Sequence, residues 1–172
     1  ETAFCMFQLS NAIIACSLII GGFACRTKFV PVLLFVCLWL VGVYCPLTHM
    51  HRHPQGWLFQ MEVLDFAGGN MVHISAGVAA LMSSYYIGPR SNIQKQERFE
   101  SRNILLCVWG ACFVLVGWLG FNMGSSYGSG GVSASRALLV TMLGAASSTV
   151  AWISVEWWRT GTPSILGILC GS

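Results

Sequence analysis

The chain has 172 residues, of which 55% are apolar and only 9% charged, where an ordinary soluble domain carries about 25% charged residues. Nine Lys and Arg against six Asp and Glu give a net charge of +3, and six of these charges crowd between Arg90 and Arg102. That composition excludes a disordered chain, a charged coiled coil and a nucleic-acid binder, and it leaves too few charges to cover a soluble globule; the class is an integral membrane protein.

A membrane-spanning helix needs about 20 mostly apolar residues. The first such run, Phe4 to Cys25, ends at the basic residues Arg26 and Lys28. The second goes from Phe29 to Leu47, with Pro31 near its start, where a missing N–H is harmless. A polar stretch, His49 to Glu62, precedes a third run from Asp65 to Ile87. The charged linker Gly88 to Asn103 leads into a fourth run, Ile104 to Phe121. A Gly/Ser-rich stretch, Gly124 to Ser135, separates it from the fifth, Ala137 to Trp157. Thr162-Pro163-Ser164 then opens a sixth run that reaches the last residue. These runs are continuous and longer than the roughly ten alternating residues of a barrel strand. The expected fold is an all-α, polytopic transmembrane helical bundle. With no initiator Met and no signal-peptide signature, the sequence reads as an interior piece of something longer.

Basic residues predict the orientation. The first, third and fifth connections hold Arg26, Lys28, Arg90, Lys95, Arg98, Arg102 and Arg159, against Arg52 and Arg136 in the second and fourth. Loops at 26–28, 88–103 and 158–164 are therefore expected in the cytoplasm, with the first residue outside. Small residues at Ala76/Ala80, Gly120/Gly124, Gly110 and Gly117 have the spacing that lets membrane helices approach closely. The eight cysteines include no C-x-x-C and mostly lie in apolar runs, so they read as packing residues.

The most informative stretch is Leu64-Asp65-Phe66-Ala67-Gly68-Gly69-Asn70-Met71-Val72-His73. Asp65 stands at a helix start, where a carboxylate accepts free backbone N–H groups and meets the positive dipole end. His73 follows eight residues on, about 12 Å deeper in the bilayer. An ionisable residue at that depth marks a functional site by default. Desolvation there favours the neutral imidazole, which both donates and accepts a hydrogen bond. The plainer readings are an ordinary N-cap for Asp65 and a histidine satisfied by a neighbouring helix for His73.

A second cluster, Gly117-Trp118-Leu119-Gly120-Phe121-Asn122-Met123-Gly124-Ser125, joins aromatic and small residues at a helix end. It reads either as an interfacial anchor or as a small-cation site with Trp118, Phe121 and Ser125 close together. His49, His51 and His53 alternate and would share one face of an extended segment. No carboxylate or thiol completes a metal set, so they read as solvated loop histidines. His49 and His73 make a poor haem pair, one near the surface and one deep. Glu156 and Arg159, beside Trp157 and Trp158, read as a local ion pair at an interfacial anchor. No cofactor and no nucleic-acid partner is expected.

These motifs carry a resemblance to the ammonium transporter (Amt/Mep) family, which has D-F-A-G-G-x-x-V-H and G-W-x-G-F-N-x-G-S signatures. Phe7-Gln8, the Arg26-x-Lys28-Phe29 turn, Tyr44-Cys45-Pro46-Leu47-Thr48-His49 and Pro163-Ser164-Ile165-Leu166-Gly167 match in the same order. The resemblance spans the whole chain, from family helix three to the start of helix eight. It implies a partial inverted-repeat fold, with the 88–103 linker joining the halves, and a homotrimer when full length. It also implies that ammonium (or its analogue methylammonium) is deprotonated at an outer vestibule and that ammonia crosses an apolar pore in the lipid bilayer, here called the plasma membrane. Under it, His73 resembles the first of two pore histidines and Asp65 the buried carboxylate that organises the recruitment site. Phe121 resembles a gating phenylalanine, Ser125 the recruitment hydroxyl, and Trp118 belongs to the same motif.

Two places depart from the family pattern. Where the family places a second gating Phe, this sequence has Asn11. Where a Trp follows the loop-two histidine, it reads Met50-His51-Arg52-His53, and the nearby tryptophan is Trp57. Losing a pore phenylalanine and placing Arg52 near the mouth weakens cation recruitment, and it brings in a second expectation, an ammonium sensor of the same fold with weak conduction. Transport, and not enzymatic chemistry, is the first expectation.

Overall fold

The computed structural model describes residues 2–89, 103–126 and 131–171, the side chains of 131 and 132 excepted. Most of the charged linker, residues 90–102, and residues 127–130 of the Gly/Ser stretch lie outside the described residues. Among the described residues every regular element is helical. The first helix, α1, covers Thr2–Ile20. It stops five residues short of the Cys25 expected from hydropathy, because Gly21 and Gly22 weaken the helix and the chain turns through residues 21–26, with Cys25 at φ 61°.

The second run is one helical rod in three pieces: α2 (Phe29–Trp39), a π-helical turn π1 (Leu40–Tyr44) and α3 (Cys45–Arg52). Pro46 explains the middle piece. Lacking an N–H for the Gly42 carbonyl and crowding it with its ring, Pro46 strains an α-helix, and the wider turn just before it relieves the strain. The rod therefore continues through the histidines to Arg52 instead of ending at Leu47. A short helix, α4 (Trp57–Gln60), lies within the polar stretch His49 to Glu62. The third run begins as a second π-helical turn, π2 (Gly69–Ile74), and continues as α5 (Ser75–Ile87).

Beyond the linker come α6 (Ile104–Gly124), α7 (Gly131–Thr160) and α8 (Ile165–Gly171). Asn103 starts α6 by accepting the Leu106 N–H at 3.2 Å. Among the described residues four stretches are long and apolar enough to cross a membrane: Thr2–Ile20, Phe29–Gln60, Ile104–Gly124 and Ser133–Thr160. Large apolar side chains face outward along them, Leu38 being 73% exposed and Phe113 72%. That surface suits a hydrocarbon surround, since lipid tails are as apolar as leucine.

The chain divides into two compact units, Glu1–Phe99 and Glu100–Ser172. In the first, Ala15, Ile19, Met71, Val72 and Ala76 are fully buried, so the core lies where α1 meets π2 and the start of α5. Further along the same contact, Gly22 comes so close to Ala80 that a side chain there would stand 2.7 Å from its Cα. Arg26 fastens this end. Its Nη1 donates to the Gly88 carbonyl at 2.6 Å, and its Nη2 donates to the Gly22 carbonyl and to Ser84 Oγ. One cation thus satisfies carbonyls at the ends of two helices, where the dipole favours positive charge.

In the second unit, Asn122 Nδ2 donates to Thr141 Oγ1 at 2.8 Å and joins α6 to α7. Gly110, Gly117 and Gly120 have open space where a side chain would stand, so close helix approach at those positions is not what the described unit uses. Glu156 accepts from Ser164 Oγ at 2.6 Å and from Ser164 N at 3.2 Å. The same Ser164 hydroxyl accepts the Gly167 N–H at 2.9 Å. The expected ion pair is thereby replaced by a clasp over the α7–α8 turn, with the carboxylate reaching eight residues ahead instead of toward Arg159. Glu156→Ala leaves two partly buried donors without an acceptor and is expected to destabilise the protein by about 1–3 kcal/mol, read as a lowered thermal midpoint.

Candidate functional site

The polar centre of the first unit is built by a few residues before π2. Val63, Leu64 and Asp65 are irregular, and Asp65 lies four residues before the first π-helical residue, not at the helix start itself. Its side chain still caps the element. Oδ1 accepts the Gly68 N–H at 2.8 Å, and Oδ2 accepts those of Asn70 at 3.1 Å and Met71 at 3.2 Å. The reach is possible because Gly68 adopts φ +91°, a left-handed conformation that folds the chain back over the carboxylate. Any side chain at Gly68 would be strained there and would meet Val72 Cγ2 at 2.9 Å.

The Gly68 carbonyl then receives two N–H groups, Val72 at 2.9 Å and His73 at 3.2 Å. The second of these is the i to i−5 bond that makes the turn π-helical. It is also the bond that fixes His73, whose ring is half-buried and within electrostatic reach of Asp65. π-Helical turns inside longer helices occur disproportionately at functional sites. Asp65 and His73 are thus brought together through one backbone device, the turn at Gly68.

Two departures noted in sequence also lie in this unit. Arg52, at the end of α3, donates from Nη2 to the Phe66 carbonyl at 3.3 Å, the residue directly after Asp65. Asn11 is buried in α1 and donates to the Phe7 carbonyl at 3.0 Å. The three histidines of the second connection do not share an extended face. His49 and His53 stack, ring centroids 4.5 Å apart, while His51 points elsewhere, buried and bonded to the Leu47 carbonyl at 3.0 Å. Helical geometry at this point separates residues two apart and pairs residues four apart. No group of three metal-ligating side chains occurs among the described residues.

An apolar groove of about 840 Å³ runs between the α2–α3 rod and the π2–α5 helix, with His51, Asn70 and Ser75 among its lining. His73 is not among its lining residues, so this groove and the candidate site are different places. In the second unit Trp118 and Phe121 pack with ring centroids 6.5 Å apart. Ser125 is buried just past α6, its hydroxyl donating to the Phe121 carbonyl at 3.0 Å. Those three sequence-predicted residues therefore stay together, while Trp118 and Asn122 also line a smaller cavity of about 550 Å³ against α7.

Membrane-length helices, with a carboxylate-capped, histidine-bearing turn in one unit, define a polytopic α-helical membrane protein. Comparison with known proteins makes this specific. The profile described as the Ammonium Transporter Family matches residues 1–172, and the chain belongs to that family. It is 38% identical over 172 residues to an ammonium transporter of Bacillus subtilis, covering 100% of this chain and 41% of the relative. To an ammonium transporter of Aquifex aeolicus it is 39% identical over 166 residues, 96% of this chain and 38% of that one. Among solved structures, the Mep2 mutant delta442 from Candida albicans aligns with a TM-score of 0.81 and 33% identity, over 99% of this chain and 40% of that one. The chain thus spans about two fifths of the length of the relatives it matches. Those relatives carry the names of transport proteins, not of enzymes.

Proposed function

We propose that this chain forms part of a pathway for ammonium or ammonia across a membrane, probed with methylammonium. The observation that carries the reading is the family match along all 172 residues, with the relatives named ammonium transporters. The Asp65–Gly68–His73 arrangement supports it physically. A half-buried imidazole offers a donor and an acceptor to a neutral, water-sized molecule, and a bare cation pays heavily for the same path. In this reading ammonium loses its proton at an outer vestibule formed with Trp118, Phe121 and Ser125, Asp65 organises that vestibule, and ammonia passes His73. The full-length protein is a homotrimer in the plasma membrane, its loops at 26–28, 88–103 and 158–164 cytoplasmic and its first residue outside.

Arg52 beside the Asp65 loop and Asn11 in a core position favour a second reading, a sensor of the same fold that binds ammonium and conducts weakly. Methylammonium flux into vesicles holding the full-length protein separates the two. The transport reading expects saturable flux that falls at least about tenfold in His73→Ala with the thermal midpoint retained. Binding without flux at any concentration sinks it and leaves the sensor.

A further inference from the structure

The apolar groove between the α2–α3 rod and the π2–α5 helix has polar groups at one end that the transport reading does not use. Its walls are side chains such as Phe35, Val43, Val78 and Met82, and no Asp, Glu, Lys or Arg is among its lining residues. From Pro31 to His51 the lined rod rises about 30 Å, the thickness of a bilayer's hydrocarbon core. His51 stands at the end of that span. Its ring is 8% exposed, and Nδ1 lies 3.0 Å from the Leu47 carbonyl, which can only accept. Nδ1 therefore carries the proton, and Nε2 is left as an acceptor. Among the described residues Nε2 has no hydrogen-bond partner, and the imidazole lines the groove. Asn70 lines it from the π2 side. The Asn70 backbone N–H is engaged by Asp65, and its side-chain amide has no partner among the described residues. Ser75, the third polar neighbour, already donates to the Met71 carbonyl at 2.6 Å. Buried polar groups almost always find a partner, so a nine-tenths buried imidazole with an open acceptor points to an occupant.

We propose that this groove binds a neutral amphiphile of the bilayer whose polar group is a single hydroxyl. The hydroxyl donates to His51 Nε2 and accepts from the Asn70 amide, and the apolar body lies along the walls. A hydroxyl has the one donor and the spare lone pairs that this pair of groups calls for. A charged headgroup would be desolvated against walls that hold no counter-ion, at heavy cost. A plain hydrocarbon would leave both polar groups unpaired. The geometry also suits a membrane molecule, with its polar group at the end of a bilayer-long groove and its tail running inward. The site is separate from His73, and the inference does not rest on the transport reading.

The test uses the full-length protein in phosphatidylcholine nanodiscs, with 1-dodecanol, dodecane and dodecylammonium as probes of equal chain length. Dodecanol at about ten times its dissociation constant is expected to raise the thermal midpoint by about 2–4 °C, and the other two leave it unchanged. His51→Phe keeps a ring but no acceptor and loses the shift. His51→Gln, which can donate to Leu47 and accept from the alcohol, retains part of it. Val78→Trp narrows the groove from an exposed position and loses the shift with His51 intact, which serves if the His51 variants do not fold. Equal shifts with dodecanol and dodecane, or the same dodecanol shift in wild type and His51→Phe, mark a bilayer effect and overturn the inference. A shift with dodecylammonium alone assigns a cationic occupant and overturns it as well. No shift with any probe means that another segment of the full-length protein closes the groove, and that result overturns it too.

Discussion

Asp65→Ala is expected to reduce methylammonium flux of the full-length protein to background and to lower its stability by about 3 kcal/mol. The size follows from what the carboxylate holds. Three backbone N–H groups, of Gly68, Asn70 and Met71, donate to it, and two of them belong to the first residues of π2. Hydrogen bonds to a charged group contribute about 1.5–3 kcal/mol, and a buried donor left without a partner is penalised further. Met71 is fully buried, so water has poor access to its N–H. Without the carboxylate, Gly68 has little reason to keep φ +91°, and the i to i−5 bond that fixes His73 starts from its carbonyl. Asp65→Asn separates structure from charge, since its one carbonyl oxygen still accepts. It is expected to recover about half of the lost stability but little of the flux. Thermal melting and flux on the same samples read both, and an Asn variant that transports like wild type removes the charge from the account.

The second large effect belongs to Gly22. A side chain there meets the Ala80 backbone, at 2.7 Å from Cα and 2.9 Å from C, and backbone cannot step aside as a flexible side chain does. Gly22→Val therefore has to push α1 and α5 apart. Overpacking a closed contact costs about 1–3 kcal/mol, and separation here also pulls Arg26 away from Gly88 and Ser84. A loss of about 3–4 kcal/mol is expected from Gly22→Val and about 2 kcal/mol from Gly22→Ala. Gly77→Ala on the same α5 is the control, because nothing lies within 4 Å of its would-be side chain. It is expected to change the thermal midpoint little or to raise it, as alanine replaces glycine in a helix interior. Equal losses at both positions would show that the crossing is looser than its geometry implies.

Long apolar runs made most of the fold legible in sequence. Hydropathy locates helices well because twenty consecutive apolar residues have few other uses, and α1, α2, α6 and α7 fall where the runs lie. It locates their ends poorly. Gly21 and Gly22 stop α1 inside an apolar run, and Pro46, an apparent breaker, is carried through by a π turn. The short helix α4 sits in a stretch with too little periodicity to reveal one turn. Within the site, Asp65 is legible in sequence as a capping carboxylate, but its place is not: it reaches π2 from four residues before the first helical position. The Arg52 bond to Phe66 and the Gly22 crossing join residues 14 and 58 positions apart, which no local pattern encodes. The same limit misread the histidines: an alternating pattern has meaning only once the backbone is known to be extended, and here it is helical.

The π turn at Gly69–Ile74 also changes how the helix that follows must be counted. A turn that closes over five residues instead of four inserts one residue into the helical register, rotating everything on one side of it by about 100° relative to an unbroken helix. A helical wheel drawn for Ser75–Ile87 and extended backward would assign Asp65, Asn70 and His73 to the wrong faces. Deletion of a single residue inside the turn would leave the composition of this helix almost untouched while re-aiming its histidine. Among related sequences, length in this ten-residue motif should therefore be held more tightly than the identity of its apolar positions.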